Sequence, residues 1–238
     1  MGILTRNEIL SAINKGELAF EPGLDQFQLQ PAAIDIRVGM NFFIPKVWSF
    51  GEEGRTGLNT DHLDNEKKNE VLDSLHLKPG QTFELLPGEF ILISTLEKIY
   101  LKSGGLVAIL YPRSSTTRRG ISIESGVIDP HYEGSLMIPV FNMTRTQKIK
   151  IYPGERIAQL VFSTTESVLS KEESLNHGLA KPKYQGVQGY QLDYKFDPHE
   201  EINLIKNGQI EKLKKNHLIA HKEEAKDDDE KNQLPLSA

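Results

Sequence analysis

From Phe20 to about Phe162 the chain is cut at short intervals by turn signals, and this punctuation limits what it can fold into. Pro79-Gly80, Pro87-Gly88, Gly104-Gly105 and Pro153-Gly154 fall between short apolar stretches. Proline presets φ for one corner of a turn, and glycine accepts the positive φ of the next. Lys148-Ile149-Lys150-Ile151 alternates with period two, as a half-buried strand does. Many short strands at this spacing predict a mainly β fold, a sandwich or barrel with a jelly-roll form.

The flanks read differently. Residues 4–16 predict a helix: Thr5 is a good N-cap, Glu8 completes a capping box, Leu4 and Ile9 are placed for a hydrophobic staple, and Gly16 ends the element. Residues 49–78 are polar and charged and predict a surface insertion, with a short helix over Glu66–Leu75. The main domain is expected over 1–196. A helical extension is expected in 197–220, its helix over 200–220 with Ile202, Ile205, Leu213 and Leu218 loosely periodic. Residues 221–238, which include Asp227-Asp228-Asp229-Glu230, predict a charged disordered tail.

Composition removes several functions. The 238 residues are 38% hydrophobic, enough for one substantial core. A net charge of −5 argues against general nucleic-acid binding. No cysteine is present, so disulfides, cysteine nucleophiles and the cysteine-held zinc of the zinc nucleobase deaminases are excluded. No apolar run approaches a membrane span, and the first residues lack the pattern of a signal peptide, so a soluble, cytoplasmic protein is expected.

Four segments carry chemistry. Pro112-Arg113-Ser114-Ser115-Thr116-Thr117-Arg118-Arg119-Gly120 packs three arginines and four hydroxyls together. Arginine forks and hydroxyls suit a polyphosphate, and the same composition also describes a solvated basic loop. Gly126-Val127-Ile128-Asp129-Pro130-His131-Tyr132-Glu133-Gly134 delivers a carboxylate from an apolar strand into a tight turn. Asp129 is placed to orient or deprotonate a water, and Tyr132 to lie against a sugar; an Asp-Pro turn with an exposed tyrosine is the alternative. Pro153-Gly154-Glu155-Arg156-Ile157-Ala158-Gln159-Leu160-Val161-Phe162 reads as a turn feeding a buried strand. Its Gln159 either braces a site or satisfies nearby backbone. Lys183-Tyr184-Gln185-Gly186-Val187-Gln188-Gly189-Tyr190 either folds over a bound nucleotide or is a linker.

Taken in order and spacing, these segments resemble the trimeric dUTPase / dCTP deaminase superfamily over roughly residues 1–196. The initial helix followed by Gln30-Pro31-Ala32-Ala33-Ile34-Asp35-Ile36-Arg37-Val38-Gly39 looks like the deaminase branch, as do Pro87-Gly88-Glu89-Phe90 and Ser94-Thr95-Leu96-Glu97. The resemblance implies a distorted jelly roll of the dUTPase-like type. It also implies a homotrimer with active sites at subunit interfaces, and a deoxynucleoside triphosphate, dUTP or dCTP, bound with Mg2+. It makes Asp129 the catalytic aspartate and Arg113, Ser114, Ser115 and Arg118 the phosphate contacts. Ile128, Tyr132, Gln159, Lys183, Tyr184, Gln188 and Tyr190 become the sugar and base contacts, and magnesium is held through the triphosphate rather than by a direct protein ligand.

One departure bears on the branch. In the deaminases the strand after the second motif carries a glutamate three residues before an asparagine; here Pro139 stands three residues before Asn142. Proline takes no proton. The residues therefore read first as a dUTP diphosphatase, giving dUMP and pyrophosphate. The alternatives are a dCTP deaminase, bifunctional or not, whose replacement base would be sought at Glu124 and Glu133, and a nucleotide-binding regulator without turnover.

Overall fold

The structure is a computed structural model that describes residues 2–52, 54–57, 72–177, 186, 188–190 and 197–218. The chain divides into two compact units, 1–196 and 197–238. The first unit begins with α1 (Arg6–Asn14), followed by β1 (Leu18–Glu21), β2 (Ile34–Pro45), β3 (Trp48–Gly51), β4 (Gly54–Gly57) and β5 (Leu72–His76). Next come β6 (Phe83–Leu85), β7 (Phe90–Leu101), β8 (Leu106–Pro112), α2 (Ser114–Arg118), β9 (Ile121–Ile123) and β10 (Gly126–Ile128). The unit closes with β11 (Glu133–Asn142), β12 (Ile149–Ile151) and β13 (Arg156–Thr164). The second unit holds α3 (His199–Lys206) and α4 (Ile210–Asn216).

The fold is mainly antiparallel β and dUTPase-like, with an N-terminal helix and C-terminal helices. A nine-stranded sheet runs β10-β8-β13-β2-β7-β11-β9, with β1 added to β7 and β5 to β2. Its two long strands, β2 and β7, each change partners along their length. β2 pairs with β13 through Ile34–Arg37, then with β7 and β5. Irregular register between Val38 and Phe42 accompanies the switch. Gly39 sits there because a Cβ would collide with Ser94 Oγ and with the Ser94 and Thr95 carbonyls, at 2.6–2.7 Å.

The core lies on one face of this curled sheet. Along β11, Ile138, Val140 and Asn142 are buried while Met137, Pro139 and Phe141 are half-buried, the period of two that strands impose. Ile34, Ile36, Ile93, Leu110, Leu160 and Phe162 meet them in one cluster. Each such side chain contributes about 1.5–3 kcal/mol on full burial.

The local signals act as their chemistry requires. Gly80, Gly88 and Gly154, each following a proline, hold φ of 87°, 73° and 85°. Glu8 accepts from the Thr5 N–H at 2.7 Å, and Leu4 and Ile9 are buried. In β12, Ile149 and Ile151 are buried and Lys150 is exposed.

Two expectations are corrected. The short helix over Glu66–Leu75 does not form across its described part: residues 72–75 belong to β5, where β2 continues past Phe43 and offers them a partner, and 66–71 lie outside the described residues. The helix over 200–220 is two helices, because Gly208 takes φ 68° after Asn207 ends the first. The tail 221–238 lies outside the described residues.

Candidate active site

The arginine- and hydroxyl-rich segment forms the end of β8 and the five-residue α2. Its base is fixed by buried polar contacts. Asp35, 1% exposed, takes the Arg113 Nε at 2.9 Å and an Arg156 guanidinium nitrogen at 3.1 Å. A second Arg113 nitrogen donates to the Arg156 carbonyl at 2.9 Å. Burial pushes the Asp35 carboxyl above the ordinary range, against the pull of the two guanidiniums. Thr116 is buried and donates to the Ile157 carbonyl at 2.9 Å, pinning α2 to β13. Arg119 pairs with Glu155. Ser114, Ser115 and Arg118 are exposed, and Arg118 makes no ion pair among the described residues. Arg113, Thr116 and Arg119 thus brace the segment, while Ser114, Ser115 and Arg118 stand exposed beside them.

Asp129 follows β10, the three-residue edge strand that carries the buried Ile128. The carboxylate is half-exposed, with the His177 Nε2 at 3.8 Å from Oδ2. The turn is held by His131 at φ 62°, whose Nε2 meets the Leu169 carbonyl at 3.0 Å. Tyr132 packs against the core and donates its hydroxyl to the Ser135 carbonyl at 3.1 Å. Burial holds its phenol well above the ordinary value. Tyr132 is therefore not an exposed turn residue: its ring is anchored.

Register shows how these two groups stand. Ile128 lies opposite Ala108, so Asp129 falls near Val107, at the start of β8, whereas Arg113 follows its end. The stretch from Val107 to Arg113 spans roughly 20 Å at about 3.3 Å per residue. On one chain Asp129 and Arg113 therefore stand near opposite ends of β8.

The remaining candidates are scattered. Gln159 is half-buried between Tyr111 and Asp35, on the face that carries the Asp35 ion pairs. Gln188 and Tyr190 are exposed, and Lys183 and Tyr184 lie outside the described residues. The glycines beside Gln188 are docked. The Gly186 N–H donates to the Glu133 carbonyl at 2.7 Å, and the Gly189 carbonyl accepts from Asn41 Nδ2 at 2.8 Å. Asn41 Oδ1 faces the His76 Nδ1 at 2.8 Å. Gly189 has no room for a side chain without crowding Ser94 and Ser135 at 3.3 Å. Gly186 and Gly189 are thus held by these contacts.

Pro139 lies inside β11, opposite Leu92 of β7. Pairing with β7 runs past it unbroken, while pairing with β9 stops at Val140, the neighbouring residue. A residue without an N–H is tolerated where one side of the strand is unpaired.

Residues 3–165 match the family described as dCTP deaminase-like. The chain belongs to that family. It is 29% identical over 211 residues to the "dCTP deaminase, dUMP-forming" of Methanosphaera stadtmanae, covering 88% of this chain and 100% of the relative. It is 32% identical to the dCTP deaminase of Natronomonas pharaonis, covering 79% and 92%. Among solved structures it is similar to the 2′-deoxycytidine 5′-triphosphate deaminase of Agrobacterium tumefaciens, with a TM-score of 0.52 and 26% identity over 74% of this chain. The match spans about half, 52%, of that longer chain. This dCTP deaminase-like protein therefore sits in an enzyme family of nucleotide metabolism. These relatives favour the deaminase reading over the dUTP diphosphatase that the residues alone put first.

Sequence reading missed Asp35, Asn41 and His76. A charge between Ile34 and Ile36 was the available signal, since a carboxylate in an apolar strand needs a cationic partner. No such signal marks Asn41 or His76, which meet only through the chain's return along β5.

Proposed function

We propose that this chain converts dCTP to dUMP, combining deamination of the base with release of pyrophosphate. The observation that carries this reading is the match along the whole length of a dUMP-forming relative. In the phosphate half of the reaction, water attacks the α-phosphorus, the bond to the bridging oxygen of the β-phosphate breaks, and pyrophosphate leaves. Asp129 orients the water and takes its proton. Arg118, Ser114 and Ser115 hold the phosphates, with Arg113 presented by its pairing to Asp35, and Tyr132 supports the sugar. Among the described residues no three acidic or imidazole groups converge, and the α2 donors suit phosphate oxygens rather than a cation. Magnesium fits this chain as the counter-ion of the triphosphate, where it neutralises phosphate charge. The separation of Asp129 and Arg113 along β8 supports a site shared between copies of the chain, and the family resemblance supports a trimer as the assembly.

A second reading, a dUTP diphosphatase that does not deaminate, is favoured by Pro139. The test incubates the purified protein with magnesium and either dCTP or dUTP, following dUMP, pyrophosphate and ammonia. Ammonia and dUMP from dCTP support the first reading. Turnover of dUTP with dCTP unchanged supports the second. No turnover of either sinks both and leaves a nucleotide-binding regulator.

A further inference from the structure

Within the deaminase reading, we propose that Glu124 is the catalytic proton carrier at the base, supplied from β9 instead of from β11. The argument is one of register. Val140 pairs with Ile123, Phe141 with Ser122 and Asn142 with Ile121 in an antiparallel ladder. Pairing ends at Val140 and Ile123, and the same register carried one residue further places Glu124 across from Pro139. Residues opposite one another in antiparallel strands share a face, with Cβ atoms about 4.5–5.5 Å apart.

Which face this is follows from burial. Ile121 and Ile123 are buried, as are Val140 and Asn142, so these rungs point to the core. Pro139 is offset by one residue from Val140 and so points away from that core face, and Glu124 leaves the end of β9 one residue after the buried Ile123. Glu124 is exposed, and among the described residues its carboxylate makes no hydrogen bond or ion pair. β9 also follows α2 directly, which puts Glu124 on the same short run of chain as Arg118. Glu133, the other nearby acid, is spoken for: it pairs with Lys98 at 3.0 Å. It also stands at the far end of β11, roughly 20 Å from Pro139 at about 3.3 Å per residue.

The chemistry needs one carboxylate used twice. Glu124 takes a proton from water as the water oxygen bonds to C4 of cytosine and an electron pair moves to N3. It passes that proton to N3, which keeps it in the uracil product. It then takes the proton of the new C4 hydroxyl and hands it to the amine. The C4–N bond breaks, its electron pair leaves with ammonia, the C4 carbonyl forms, and Glu124 ends as it began. Pro139 does none of this, and a proline on one strand is compatible with a glutamate reaching across from the other.

The test measures ammonia release from dCTP by wild type, Glu124→Gln and the double variant Glu124→Gln/Pro139→Glu, with dCTP affinity by calorimetry and folding by urea midpoint. Expected is a loss of about 10²–10⁴-fold in Glu124→Gln with affinity within threefold, the range for removing a general base. Recovery of at least tenfold in the double variant is the second expected result, since it returns a carboxylate to the same face. Ammonia release by Glu124→Gln at the wild-type rate overturns the assignment and leaves the deaminase reading intact. So does a parallel loss of affinity and turnover, which makes Glu124 a binding group. Wild type that releases no ammonia removes the deaminase reading and this assignment with it.

Discussion

Arg113 and Asp129 both extend strands of one sheet, yet Arg113 ends in a buried ion pair and Asp129 in a half-open turn. The Arg113 end is braced by Asp35, by the Thr116 hydroxyl and by pairing of β8 with β13 through seven residues. The Asp129 end hangs on a three-residue edge strand, a residue with positive φ and a histidine at 3.8 Å. A polyphosphate carries most of the ligand's charge, and holding it requires cations fixed before it arrives. A water-activating carboxylate must meet solvent and exchange protons. Under the proposed roles, the braced end would hold the phosphates and the open end would activate the water.

This contrast is sharpest in chemistry. Asp129→Asn is expected to slow release of pyrophosphate by about 10²–10⁴-fold while leaving triphosphate affinity unchanged. Single-turnover kinetics alongside calorimetry reads both quantities, and a matching loss of affinity breaks the division of labour. At the braced end, Asp35→Ala leaves two guanidiniums without their shared partner. It is expected to cost about 3–5 kcal/mol of stability in urea denaturation, the range for breaking a buried pair. A cost under 1 kcal/mol would show the bracing to be ornamental. Arg118→Ala removes a charge-assisted contact worth about 1.5–3 kcal/mol, so triphosphate affinity should fall about tenfold or more with folding stability unchanged. Calorimetry that shows equal affinity removes Arg118 from the site.

The smallest effect concerns pH. Glu97 is buried, with Gln28 Nε2 at 2.6 Å and the Arg37 N–H at 3.0 Å, and burial raises its pKa above the ordinary 4.5. The folded chain then binds this proton more tightly than the unfolded chain. Stability from Glu97 is present below pH 4.5 and declines as pH rises towards its raised value. Glu97→Gln should flatten that part of the stability profile, read as the urea midpoint between pH 4 and pH 7. A variant that instead steepens the profile would reverse the sign assigned to burial.

How much of this was visible beforehand depends on range along the chain. Turns and caps are local, so Pro79-Gly80, Pro87-Gly88, Pro153-Gly154 and the Thr5–Glu8 cap were legible in a few residues each. The β5 strand was not, because Leu72–His76 has little strand pattern of its own and forms by pairing with β2. The arginine-rich arm was legible as chemistry. The bracing of Arg113 was hidden, since Asp35 lies 78 positions before it. The separation of Asp129 from Arg113 came only with the β8–β10 register. Pro139 was legible as a missing glutamate, but the nearness of β9 to β11 was not, because Val140 and Ile123 meet only through strand pairing.

If sites are shared between copies as proposed, the placing of Asp129 and Arg113 at opposite ends of β8 would also govern how damage is inherited. When each site borrows one end from a neighbouring copy, a chain crippled at Asp129 and another crippled at Arg118 rescue one another once mixed. Some sites in the hybrid then receive two sound ends, although neither parent has any. Two chains crippled at the same end rescue nothing. A single defective copy would likewise silence a fixed fraction of its partners' sites, so a mixture loses activity in steps set by how the copies are combined.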